Sequence, residues 1–295
     1  MMWLVIAVGS AVLFGLAGWW MKASQMNGGD NTTLLLGLYA SGTAGFAVHA
    51  SLAGSWPALG DWRIWLAGAI IGAGSAWGNA VFMKALAYGP ASLTSPLTNL
   101  NIAAVVAMSV LLYDEPLGIA EAAGIALLFA AVILISIRRH EPLTIREKRW
   151  FAYVALAIVL FSFRNGGLKV TGELGLADTP ILLVGYALSL LWFAAAGMIR
   201  QRRLRNETSA ERGLSDSALR TGMRYGLLAG LFSYAGLQLY AVALQTGKAN
   251  LAAPIFATNS LVVAAGAIIV YRERLTRTQW LAFACMIAGL AVIRL

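Results

Sequence analysis

Cysteine is nearly absent from this chain: Cys285 stands alone among 295 residues. One thiol cannot build a disulfide framework or a cysteine-rich metal site within a single chain, so it reads as packing. Histidine is almost as scarce, at two residues, and His49, single in its apolar run, reads as structural. Charge is thin, at 12% of residues. No His-Glu-x-x-His motif and no Walker phosphate loop is present, so metal catalysis and ATP drive lack their usual signs. No cofactor and no enzymatic activity are expected. Acidic groups are missing from the middle of the apolar runs: Asp30, Asp61, Asp114, Glu115, Glu141, Glu173, Asp178 and Glu273 fall at run ends or between runs, and Glu121 comes closest to an interior place. Proton-driven export of cationic drugs uses a buried carboxylate that trades proton for substrate, and that chemistry has no mid-run candidate.

Apolar surface is what the chain has in excess. Hydrophobic residues make up 59% and mean hydropathy is +0.73, too apolar for a water-facing polar shell. A helix crossing about 30 Å of hydrocarbon needs about 20 apolar residues, because each backbone amide must be paired inside the segment. Ten runs answer to that description: 2–24, 32–54, 62–87, 91–113, 117–137, 149–171, 179–199, 222–245, 249–271 and 277–294. Gly28-Gly29-Asp30-Asn31, Ser55-Trp56-Pro57, Gly89-Pro90 and Asp114-Glu115-Pro116 separate runs with turn chemistry and charge. Arg200 to Arg220 reads as a solvated loop. The expected fold is all-α and integral to the membrane, ten transmembrane helices in one domain over 1–295.

A net charge of +9 could suggest nucleic acid, but the basic residues sit in a few connections and form no stripe. Arg138, Arg139, Arg146, Lys148 and Arg149 follow the fifth run, Arg200, Arg202, Arg203, Arg205, Arg212 and Arg220 the seventh, and Arg272, Arg274 and Arg277 the ninth. By the positive-inside rule these connections are cytoplasmic and both termini face outward, in a plasma or inner cell membrane. Met1, Met2 and Trp3 supply no basic leader, so the first run is expected to stay as a helix. The expected partners are a small-molecule substrate and lipid, not nucleic acid, with the chain a monomer or homodimer.

Self-comparison shows a duplication. Gly78 to Ile135 aligns without a gap on Gly236 to Ile293, at an offset of 158. Ala85 matches Ala243, Gly89 matches Gly247, Pro96 matches Pro254, Asn101 matches Asn259, Tyr113 matches Tyr271 and Glu115 matches Glu273. Upstream the offset is 147, pairing Phe14 with Phe161, Lys22 with Lys169, Leu35 with Leu182 and Tyr39 with Tyr186. The repeats are 1–137 and 149–295. Each holds five runs, an odd number, so the second copy enters the membrane from the opposite side and the repeat is expected to be inverted. Two gates around one central site then follow.

Phe14-Gly15-Leu16-Ala17-Gly18-Trp19-Trp20-Met21-Lys22 and Phe161-Ser162-Phe163-Arg164-Asn165-Gly166-Gly167-Leu168-Lys169 share their Phe-to-Lys spacing. With the duplicated Gly-x-Ala-x-Leu-x-x-Pro and Tyr-x-Glu-x-Leu segments, the whole chain resembles the EamA-type branch of the drug/metabolite transporter superfamily. The resemblance implies a ten-helix transporter of metabolites, often exporting them. Phe14 stands where tryptophan is common in that branch, and Ala17 where a polar residue is frequent.

Candidate site residues are the polar and aromatic groups inside apolar runs. Arg164 is placed at depth, where an unpaired charge costs at least about 2.5 kcal/mol, so it must face protein or water. It is either a structural cation on helix-end carbonyls or a contact for a substrate carboxylate or other anionic group. Asn79, Asn101, Asn165, Gln238 and Asn259 must hydrogen-bond another helix or a wet cavity. Trp19, Trp77, Tyr234 and Tyr240 are rings deep enough to line a pocket, while Trp56, Trp62, Trp65, Trp150 and Trp280 suit an interfacial belt. Lys22 and Lys169 either snorkel or set the electrostatics of a gate. Gly68, Gly72, Gly74 and Gly78 form a small-residue seam. The expected function is secondary transport, as an exporter or exchanger, of amino-acid-like or zwitterionic solutes by alternating access. Alternatives are transport of a quaternary amine such as choline through an aromatic cage and, in another class, a membrane enzyme on a lipid-linked substrate or a non-transporting scaffold.

Overall fold

The computed structural model describes residues 2–88, 94, 97–134, 148–204, 209–262 and 277–292, and among them every regular element is helical. In chain order these are α1 (Met2–Met26), α2 (Asn31–Leu52), a 3₁₀ turn (Trp56–Gly60), α3 (Trp62–Tyr88), α4 (Asn101–Leu112), α5 (Ile119–Leu134), α6 (Arg149–Glu173), α7 (Asp178–Leu204), α8 (Ser209–Thr246), α9 (Ala249–Ala257) and α10 (Arg277–Val292). Each of the ten apolar runs overlaps one of α1 to α10. Among the described residues, five helical segments are long and apolar enough to cross a membrane: Met2–Met26, Trp62–Ala85, Arg149–Glu173, Asp178–Arg200 and Ser215–Thr246. The stretches Asn101–Leu112, Ile119–Leu134 and Trp280–Val292 are shorter apolar helices. Pro96 and Glu273 lie outside the described residues.

The stretch expected to be a solvated loop is largely helical. α7 continues to Leu204 and α8 begins at Ser209. At 38 residues α8 runs for about 57 Å, well beyond the hydrocarbon thickness. Its first turns, Ser-Ala-Glu-Arg-Gly-Leu, are polar yet rich in helix formers, and charge does not oppose helix outside the bilayer. This end is tied down by Asp30. Its N–H donates to the Ala218 carbonyl at 3.0 Å, its carboxylate accepts the Thr33 N–H at 3.2 Å as the cap of α2, and it pairs with Arg200 of α7.

α8 packs along α1 and α2, while α3 packs along α6 and α7. α2 meets α7, α4 meets α9, α5 meets α10, and α4 and α9 touch α6 and α1 respectively. Exchanging α1 to α5 with α6 to α10 turns each of these contacts into itself or into another of them. The correspondence holds at single residues. A Cβ on Gly72 would sit 2.6 Å from the Gly185 carbonyl oxygen, and its counterpart Gly230 meets the backbone of Leu38, the counterpart of Gly185. Gly78 closes on the Phe161 ring, and its counterpart Gly236 closes on Phe14 at 2.7 Å. The glycine seam therefore brings α3 and α8 each against the other half at backbone contact distance.

Candidate functional site

Gly74 sets where α6 can lie, since a Cβ there would fall 2.9 Å from the Arg164 backbone nitrogen. Arg164 leaves α6 at that crossing and is 5% exposed. Its Nε donates to Asn165 Oδ1 at 3.0 Å, Asn165 Nδ2 donates to Asn101 Oδ1 at 2.6 Å, and Asn101 Nδ2 donates to the Thr98 carbonyl at 2.5 Å. The guanidinium carbon lies 4.6 Å from the Phe161 ring centroid and 5.1 Å from that of Phe14. These two rings are counterparts in the repeat, so the cation sits between equivalent aromatic walls. Among the described residues no carboxylate comes within ion-pair distance of it. Burying a charge in this way is costly unless a partner arrives, and a cation whose Nε is already fixed keeps its terminal nitrogens for a bidentate anion.

The walls continue outward from this cation. Phe256 meets Phe14 at 5.0 Å and stacks on Tyr240 at 4.1 Å. The Tyr240 hydroxyl is buried without a hydrogen-bond partner among the described residues. Tyr39 and Tyr186 are fully buried, and their hydroxyls meet Ser75 at 3.0 Å and Ser233 at 2.6 Å. Asn79 Nδ2 donates to the Tyr39 hydroxyl at 3.0 Å. Asn259, just past the end of α9, turns back on it, donating to the Phe256 carbonyl at 2.7 Å, while its backbone oxygen faces Gly15 of α1.

Other residues predicted for the site lie apart from Arg164's contacts. Trp77 is 45% exposed and meets Trp192, itself outward, edge to face. Trp19 packs edge-on against Trp20. Tyr234 bonds His49 at 3.0 Å on the α2–α8 contact. Gln238 is buried, its Oε1 without a partner among the described residues. Trp150, expected in an interfacial belt, is instead 2% exposed, its indole N–H donating to Thr94 Oγ1 at 3.0 Å. A tryptophan at the start of a run says nothing of which face it takes, and this one faces a neighbouring segment.

A second polar cluster closes one end of the bundle. Lys169, 4% exposed, donates to Glu115 at 2.6 Å and also pairs with Glu173 one turn on. Its ammonium lies 5.1 Å from the Tyr113 ring centroid. Buried and doubly paired, Lys169 does not snorkel. Glu115 also accepts the N–H groups of Ala249 at 3.1 Å and Asn250 at 2.9 Å, at the start of α9. Burial is the largest single influence on the Glu115 carboxyl and pushes it up. The Lys169 hydrogen bond, the two backbone N–H groups and the Lys169 charge together outweigh it, leaving the group below its ordinary value. Lys248 pairs with Glu121 at 2.7 Å beside this cluster. A cleft of about 540 Å³ opens over Lys169 and Glu115. Lys22, the counterpart of Lys169, lies on α1.

Phe14, Phe161, Tyr39, Tyr186 and the capping role of Glu115 were not singled out from residue type. The offsets of the duplication carried a signal for all but the last, since Phe14, Tyr39 and Ser75 recur at Phe161, Tyr186 and Ser233.

Comparison with known proteins places the chain in a family and beside solved structures. The family model of the EamA-like transporter family matches residues 1–137 and 150–295. A solved crystal structure of another protein, 15% identical, superposes with a TM-score of 0.72 over 99% of this chain and 96% of its own. At that identity the likeness shows a shared fold. No curated protein matches the chain.

Proposed function

The chain belongs to the EamA-like transporter family, whose members are membrane transporters, and from that premise we propose that it carries small carboxylate-bearing metabolites, foremost amino-acid-like or zwitterionic solutes, by alternating access around Arg164. The observation that carries this reading is a buried cation, 5% exposed, held between Phe14 and Phe161 with no carboxylate partner among the described residues. A substrate carboxylate supplies the missing charge and the two hydrogen bonds that the terminal nitrogens can give.

Alternating access is supported by the way the helix contacts repeat when the halves are exchanged. An inverted pair of five-helix repeats makes the two faces of the site alternative packings of the same elements. Phe14 and Phe161, equivalent by the duplication, both lie against Arg164, so the cation is central to either packing. The orientation, with the termini outside a plasma or inner membrane, rests on the basic connections, and export or exchange rests on the family. A quaternary amine fits this centre less well. The aromatic rings suit it, but it would face the charge of Arg164 at low dielectric.

The test is flux in proteoliposomes holding the purified chain, screened across radiolabelled amino acids and small amines. Carboxylate-bearing solutes are expected to move and choline is not. No flux for any solute, in either direction of gradient, sinks the proposal.

A further inference from the structure

Glu115 occupies a receptor that suits any carboxylate. Its Oε1 lies 2.6 Å from Lys169 Nζ and 3.1 Å from the Ala249 nitrogen, and its Oε2 takes the Asn250 N–H at 2.9 Å. An ammonium and two backbone N–H groups at the start of a nine-residue helix give three donors to one anion. The donors are fixed on α6 and α9, with Lys169 4% exposed. The anion is on a tether. Glu115 arrives on the irregular segment between α4 and α5, directly after Asp114, whose backbone is left-handed at φ 50°.

Two further observations point to a ligand. Lys169 and Glu115 form part of the lining of the cleft of about 540 Å³, together with Glu173 and Gln245. Asn250, whose backbone N–H is one of the receptor's donors, is fully buried and donates its Nδ2 to the Pro116 carbonyl at 3.3 Å, while its Oδ1 has no partner among the described residues, an acceptor left open at the receptor's own residue but outside the cleft's lining. Lys169 also follows Arg164 by five residues on the same helix, about 7.5 Å along its axis.

We propose that Lys169 and the first N–H groups of α9 form a second, peripheral subsite for the substrate carboxylate, held by Glu115 in this structure and taken over when a substrate carboxylate displaces it. The subsite rests on the reading of the substrate as a carboxylate, and it adds a step: the anion meets Lys169 at the cleft and then Arg164 deeper along α6. Glu173, which lines the cleft, takes the amino group at the first station.

Propionate is the probe, titrated against the full chain in lipid nanodiscs by saturation-transfer NMR. Arg164→Met disables the central site, so propionate binding that persists in this variant reports the periphery. Adding Glu115→Gln should tighten that remaining binding about tenfold by removing the tethered competitor. Adding Lys169→Gln instead should abolish it. If Arg164→Met removes all binding and Glu115→Gln restores none, the peripheral subsite is overturned while the central one stands. If Arg164→Met binds as the wild type does and Lys169→Gln does not bind, the central assignment fails and the peripheral one holds. Should Glu115→Gln lose monodispersity, Glu115→Asp withdraws the carboxylate by one methylene and keeps its charge. A partial gain is then expected, and no gain overturns the proposal.

Discussion

Tyr39 and Tyr186 hold equivalent places in the two halves and touch each other edge to face, their ring centroids 5.1 Å apart. Each hydroxyl also meets the equivalent serine, Ser75 or Ser233. Two residues that are copies of one another and also in contact mark where the halves join, and Arg164 lies in the same region between the copied pair Phe14 and Phe161. Equivalent substitutions at the tyrosines should therefore have similar effects. Tyr39→Phe and Tyr186→Phe are each expected to lower stability in detergent by about 0.6 kcal/mol, the average for hydrogen bonds between membrane helices. Tyr39→Phe should cost more, since Asn79 loses its acceptor too. Thermal unfolding followed by circular dichroism checks the ranking.

The glycine seam gives a second test. Gly72→Ala places a methyl 2.6 Å from the Gly185 carbonyl oxygen, and overpacking of that kind costs about 1–3 kcal/mol. Gly230→Ala should behave alike, pressing on the backbone of Leu38. Gly60→Ala meets nothing within 4 Å and serves as the neutral control. Melting temperatures of the three variants in one detergent decide the matter.

Arg164→Met should leave folding intact or improve it. No described carboxylate loses a partner when the guanidinium goes, and relief of the uncompensated buried charge offsets the donor that Asn165 Oδ1 loses, a loss that alone costs about 1–3 kcal/mol. The melting temperature is expected to stay at or above the wild-type value. A large drop would mean that the cation is structural.

Glu115 supplies a pH signature. Its carboxyl is held below the ordinary value, so its contribution to stability is present above the unfolded value of about 4.3 and is lost only as pH falls through the lower folded value. The stability difference between the wild type and Glu115→Gln should thus be constant from about pH 8 to pH 5 and shrink below about pH 4.3. A difference that disappears between pH 5 and 7 would show that the Lys169 pair is not what holds the group ionised.

Much of this arrangement was legible before any coordinates. Hydropathy located segments overlapping α1 to α10, because a backbone in lipid must close its own hydrogen bonds and so writes its length into the sequence. The duplication was legible as well, and its offsets led to the residue pairs that meet at Gly72 and Gly230. What stayed hidden depends on contacts between distant segments. The polar start of α8 reads as a loop because its charges interrupt the apolar pattern, whereas the Asp30 contacts with Ala218 and Arg200 hold that end of the helix. Glu115 looked like a turn residue; nothing local to it announces that it caps α9, more than 130 residues on. Trp77 faces outward and Trp150 inward, since the face a ring takes is set by its neighbours and not by its depth.

The most direct measurement compares flux of L-alanine with that of L-alaninamide, which lacks the carboxylate, in proteoliposomes of the wild type and of Arg164→Met. A wild-type preference for alanine of at least about tenfold, equivalent to 1.4 kcal/mol, is expected, and it should vanish in the variant. The same preference in both proteins would contradict the assignment of Arg164 as the carboxylate's partner.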